Sequence, residues 1–299
     1  LVARSRFAEA LEHALEAGRL AEAAHDRTGL CSAQNIQALG LRYLGRLEEA
    51  LAAFGASRAI LTERGATANL PYLDNQVSNV LLELGHVDRA LTAARRALQL
   101  AEEVGDRKDV SFILLTLANT NLAAGDFDAG RRAAERRRAL EGHENPASAC
   151  MTGIVLTLLA HLEGRDALAR EELRRTIEHF DGEPPYLELH VGIAEALVEA
   201  RAGDWQRAGR AARSALDLSR PAGQTTLRRS LYALALALAE LGDGETAASV
   251  VQTLDAGPPL MERWIFGPHL ERRLAGLEGP PPCRDAEEAA VRVATVFQA

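Results

Sequence analysis

Eight histidines, three cysteines and several adjacent glutamates are the side chains with which this 299-residue sequence could do acid–base, nucleophilic or metal chemistry. Their spacing supports little of it. The histidines never form HExxH or a Cys/His cluster, and Cys31, Cys150 and Cys283 include no CxxC pair, so no zinc site is implied. Glu48-Glu49, Glu102-Glu103, Glu171-Glu172 and Glu287-Glu288 are neighbours in sequence. On a helix such neighbours point about 100° apart, which makes them solvated faces and not paired catalytic carboxylates. GxxxxGK[ST], GxGxxG and GxSxG are absent. The remaining enzyme reading, His161 acting with Glu240, has no nucleophile–base spacing behind it. The sequence is therefore read as non-catalytic, with no cofactor and no metal.

The elements that would carry these residues come next. The composition, 47% hydrophobic, 25% charged and only 4% aromatic, is that of a folded chain whose core is built from Ala and Leu, which suits closely packed helices. No apolar run is expected to reach the roughly 18–20 residues that span a bilayer, and Gly153–Leu162 and Leu231–Leu241 come nearest. No signal peptide is read at the N-terminus, and the odd, scattered cysteines read as reduced thiols of a cytoplasmic protein without membrane contact. A net charge of −8 argues against direct nucleic-acid binding. The one dense basic run, Arg131-Arg132 with Arg136-Arg137-Arg138, is read as a solvated helix face.

A phrase recurs along the chain. It reads Gly45-Arg-Leu-Glu-Glu-Ala50, Gly85-His-Val-Asp-Arg-Ala90, Gly125-Asp-Phe-Asp-Ala-Gly130, Gly164-Arg-Asp-Ala-Leu-Ala169, Gly203-Asp-Trp-Gln-Arg-Ala208 and Gly242-Asp-Gly-Glu-Thr-Ala247. The glycines are spaced 40, 40, 39, 39 and 39 residues apart. Gly ends one helix in the left-handed conformation, and the Asp that often follows caps the next. The small residue five positions on lets two antiparallel helices approach. Phe54, Ala94, Ala134, Leu173, Ala212 and Val251 hold the next core position. Each unit is thus a helical hairpin.

Extending the phase backwards places a closing turn near Ser5, and Leu20–Arg27 aligns with Leu100–Arg107 eighty residues later. Residues 1–27 then read as the second helix of a truncated repeat, 28–256 as six hairpins, and 257–299 as a divergent capping helix pair near Leu260–Leu277 and Asp285–Gln298. All belong to one array over 1–299. The chain is expected to be a piece of a longer protein.

This pattern resembles the tetratricopeptide repeat (TPR), with a unit longer than the usual roughly 34 residues. The long unit is similar to sensor arms of bacterial regulators of the maltose-activator type with a STAND ATPase, or of SARP-type transcription activators. The resemblance implies an all-α, right-handed superhelical solenoid of antiparallel helix pairs. It also implies that the first helix of each pair faces a concave groove binding a peptide, a protein segment or a small effector. The alternative is a structural adaptor or self-association scaffold, a homo-oligomer with no small ligand.

On that reading the groove carries Asn35 and Asn75 ten residues before the closing glycine and Asn79 and Asn119 six before it. Tyr72, Phe112, His161, His190 and Arg201 join them. Asn offers donor and acceptor to an extended main chain. The positions matching the carboxylate clamp of chaperone-tail receptors, Asn35, Ile36, Gln76, Phe112 and Thr116, hold no cation. Ile154, Leu158, Ile193, Leu197 and Leu236 suggest an apolar C-terminal half of the groove.

Overall fold

A computed structural model describes residues 7–141, 145–178, 180, 185–277 and 279–297. The turn expected near Ser5, His143, His179 and the end of the last expected helix at Gln298 lie outside them. The described residues form helices and no strand. In chain order these are α1 (Phe7–Ala23), α2 (Arg27–Tyr43), α3 (Leu47–Glu63), α4 (Leu70–Glu83), α5 (Val87–Val104) and α6 (Arg107–Ala124). There follow α7 (Phe127–Glu141), α8 (Pro146–Glu163), α9 (Asp166–Glu178), α10 (Pro185–Arg201), α11 (Trp205–Ser219), α12 (Gln224–Glu240), α13 (Gly244–Asp255), α14 (Met261–Leu274) and α15 (Ala286–Val296). The all-α class read from composition and repeat is what the structure has.

The repeated phrase works as its chemistry requires. All six of its glycines have φ between 74° and 95°, the region an L side chain avoids. Where Asp follows, it caps: the N–H groups of Ala129, Arg207 and Thr246 donate to Asp126, Asp204 and Asp243 at 3.0, 2.9 and 3.1 Å. Where Arg46 or His86 follows instead, the helix start has no side-chain cap. Ala50, Ala90, Ala169, Ala208 and Ala247 are fully buried, so five of the six helix pairs close on a methyl group, and Gly130 takes that place in the sixth. The alignment of Leu20–Arg27 with Leu100–Arg107 also holds in detail. Asp26 caps α2, Asp106 caps α6, and His25 adopts φ +52° where Gly105 has +78°.

Val251 departs from its expected core position. It is half-buried, while Val250 and Leu254 are buried, because α13 is covered by α14 and α15 as well as by α12. A second correction concerns α8. Its 18 residues are by length and composition apolar enough to cross a bilayer, yet 61% of them are buried inside the protein, packed on α7, α9 and α10.

By their contacts the residues group into two compact units, Leu1–Thr120 and Asn121–Ala299. In the first, α2 packs on α1 and α3, and α4 on α3 and α5. Its core gathers Leu11, Leu41, Leu47, Phe54, Leu70 and Val80. In the second, the pairs α8/α9, α10/α11 and α12/α13 follow one another, and the leading helices α8, α10, α12 and α14 pack in that order. α14 lies on α12 and α13, and α15 turns back onto α11, α12 and α13.

Candidate functional site

In the first unit the leading helices are α2, α4 and the part of α6 up to Thr120. Tyr72 and Asn79 stand seven residues apart on α4, and Phe112 and Asn119 seven apart on α6. Two helical turns separate such residues, so each aromatic shares a face with its asparagine. Phe112 is 62% exposed, and Tyr72, Asn79 and Asn119 are half-buried. Asn79 and Asn119 have no side-chain hydrogen bond among the described residues. An amide on a helix surface in this state has both its donor and its acceptor to offer.

The tier ten residues before the glycine behaves differently. Asn75, expected to line the groove, is only 3% exposed, and Asn35 is half-buried. The side-chain oxygens of both, and of Gln34, are buried without a partner. The amides of Asn35 and Gln76 hydrogen-bond the Tyr72 hydroxyl. Burial pushes that phenol's pKa up, against the pull of these two amides and of Arg42. Asn75 therefore belongs to the packing beneath the face and Asn79 to the face itself.

Arg42 ties α2 to α4. Its Nε and Nη2 donate to Glu83 Oε1 at 3.2 and 2.7 Å, and its Nη1 to Gln76 Oε1 at 3.3 Å. The positive charge of this face is thereby neutralised, since Glu83 is 3% exposed and holds it. Beside it Tyr43 stacks on Phe7 with ring centroids 4.3 Å apart. Toward the trailing helices, α4 presents Asp74, 1% exposed, which accepts from Arg58 of α3 at 3.0 Å and Arg96 of α5 at 2.8 Å. Sequence reasoning missed Asp74; its signal is an acid in the middle of an apolar helix with arginines sixteen residues before and twenty-two after.

In the second unit His161 and Arg201 do not line an open groove. Both enter a polar node shared by the leading helices, close to their C-terminal ends. Glu240 of α12, 1% exposed, accepts from Arg201 Nε of α10 at 3.0 Å and from Arg273 of α14 at 3.3 Å. His161 Nε2 of α8 stands 3.3 Å from the same oxygen, and Arg201 donates also to the His161 carbonyl and to Asp166. Burial would raise the Glu240 pKa, but His161 and Arg201 outweigh it and hold the carboxyl below its ordinary value. His269 of α14 is pulled down to about 4 by burial and by Arg272, Arg201 and His161. With His161 and Glu240 each 1% exposed, the pair has no face for a substrate.

His190, the other expected groove histidine, sits apart from this node. Its Nδ1 lies 2.6 Å from the Tyr186 carbonyl, and its ring meets Tyr186 edge-on at 6.5 Å. Burial lowers its pKa, and Glu262 and Arg229 are the charges that act on it. Ile154, Ile193, Leu197 and Leu236 are buried and Leu158 half-buried, so the expected apolar groove wall is mostly core. The basic run of α7 is likewise not simply a solvated face. Arg131 pairs with Glu163, Arg138 with Glu172 at 2.5 Å, and the buried Arg137 donates to the Ser148 carbonyl at 3.0 Å. Three of its arginines thus staple α7 to the hairpin that follows.

Among the described residues no three His, Cys, Asp or Glu side chains converge as metal ligands would. No protein-family model matches the sequence, and no curated protein matches it. Among solved structures, the chain is similar to the crystal structure of a tetratricopeptide repeat protein from Parabacteroides merdae ATCC 43184, at 12% identity. The match covers 97% of this chain and all of that one, with a TM-score of 0.43.

Proposed function

We propose that the chain is a non-catalytic TPR-like interaction module whose leading-helix face in the first unit binds an extended peptide or protein segment. The observation that carries this reading is the repeated pair of an aromatic and an asparagine, Tyr72/Asn79 and Phe112/Asn119, with both asparagine amides unpartnered. Two such amides one repeat apart, at a helix-packing distance of about 8–10 Å, suit peptide groups about two or three residues apart in an extended chain, and the aromatics suit its apolar side chains. Because Arg42 is neutralised by Glu83, the preferred segment is uncharged rather than acidic at its centre.

In the larger setting we place the module as the sensing arm of a bacterial transcriptional regulator acting in the cytoplasm. The support for that is the forty-residue unit alone. A small effector is the narrower occupant of the same face, and nucleic acid and membrane have no part in the proposal.

The test is selection of peptides from a displayed random library on the full chain, followed by calorimetric titration of the winners. Replacing both Asn79 and Asn119 with Ala is expected to weaken binding by tenfold or more, from the loss of about one to two hydrogen bonds. Unchanged affinity in that variant removes the face from the account. Ile36, Tyr43 and Leu44, all more than a third exposed, favour a second reading, self-association of this unit. Light scattering that shows a concentration-dependent oligomer, with no selected peptide competing, would favour it.

A further inference from the structure

We infer that the hollow between α11 and α15 in the second unit binds a small anion with a planar apolar body, such as an aromatic carboxylate. The hollow has a volume of about 820 Å3, the size of ordinary small-molecule sites. Trp205, Gln206, Arg210 and Arg213 of α11 line it on one side and Val296 and Phe297 at the end of α15 on the other. The described residues that line it include two guanidinium groups and no carboxylate.

The walls are built to stay in place. Gly209 lets the end of α15 approach α11, because a Cβ there would stand 2.9 Å from the Phe297 carbonyl oxygen. Arg213 donates to that same carbonyl, which satisfies the C-terminal end of α15 and fixes one guanidinium at the rim. Arg210 is exposed; it feels the charge of Glu195 on α10 but makes no ion pair within 4.0 Å with any described carboxylate. The Trp205 ring, 43% exposed, lies 6.5 Å from the Phe297 ring at a tilt of 59°. A flat apolar group seats on the indole, and its anionic end meets Arg210, whose planar fork matches a carboxylate. This inference stands apart from the peptide face, which belongs to the other unit.

The test is calorimetric titration of the full chain with 2-naphthoate and with its neutral counterpart, 2-naphthamide. The acid is expected to bind at least about tenfold more tightly than the amide, the worth of one charge-assisted hydrogen bond. Arg210→Gln should bring the acid down to the level of the amide. Arg207→Gln, whose side chain pairs outside the hollow with Glu199 and Asp204, should bind as the unaltered chain does. In a Trp264→Phe background the emission of Trp205 should change on titration. Equal affinity for acid and amide on the unaltered chain, no heat with naphthoate into the millimolar range, an unaffected Arg210→Gln variant, or a silent Trp205 would each overturn the inference.

Discussion

Replacing Glu240 with Gln keeps the shape of the keystone in the second unit and removes its charge. Two arginines, from α10 and α14, donate to one buried oxygen of this residue, and His161 Nε2 of α8 stands 3.3 Å from the same atom. Orphaning a buried charge costs about 3–5 kcal/mol when nothing else can take it up. Here Arg201 retains Asp166 at 3.3 Å, and Arg273 is 41% exposed and returns to water. The expected loss is therefore smaller, about 2 kcal/mol. With a urea dependence of about 2 kcal/mol per molar for a unit of this size, the midpoint moves down by about 1 M.

The pH dependence has a definite sign. The folded-state pKa of Glu240 lies below its ordinary value of 4.5. A depressed carboxyl contributes stability that is present above the unfolded pKa and is lost as pH falls through the folded one. The gap between the unaltered chain and Glu240→Gln should thus be constant from pH 7 to about 5 and close below it. Urea unfolding followed by circular dichroism, repeated in steps of pH, reads both. A gap under 0.5 kcal/mol at pH 7, or one that persists into the acid range, refutes the reasoning.

Other substitutions probe the repeat itself. His25→Gly removes a left-handed L residue at the position where the aligned repeat has glycine. It should raise stability by about 0.5–1 kcal/mol, seen as a higher midpoint in calorimetry; a lower one would mean that the side chain has a compensating role. Gly153→Ala places a methyl group on Thr176 Oγ1 and 3.1 Å from Thr176 Cβ, in the contact of α8 with α9. Thr176 is buried and its hydroxyl donates to the Glu172 carbonyl at 2.7 Å, so it cannot swing away freely. The variant should lose about 1–3 kcal/mol, and adding Thr176→Ala should restore most of it. An unchanged melting curve for Gly153→Ala would show that the two helices part without cost.

The glycines, the buried alanines and the aspartate caps were legible because each is dictated by its own few residues. A left-handed φ asks for Gly, a close helix contact asks for Ala, and free N–H groups ask for Asp. Even the strained His25 could be found by laying residues 20–27 over 100–107. The partners of the long side chains were not legible. Arg42 with Glu83 and Arg201 with Glu240 lie about forty residues apart, and a shared face does not say whether two such groups meet each other or a ligand. Asn75 and Asn79 look alike in sequence and lie on one side of α4, yet the first is 3% exposed and the second half-buried. The return of α15 onto α11 and α13 depends on the loop around Pro280–Cys283, where Ser249 donates to the Pro281 carbonyl and Thr253 accepts from the Cys283 N–H. No repeat predicts those contacts.

Removal of single main-chain N–H groups from a selected peptide, by an amide-to-ester scan, asks most directly whether the asparagine-bearing face grips a backbone. Titrated into the full chain, at least one and at most a few adjacent esters should bind about tenfold more weakly than the parent, and those same esters should cost nothing further in the Asn79→Ala/Asn119→Ala variant. A scan in which every ester binds as tightly as the parent contradicts the claim.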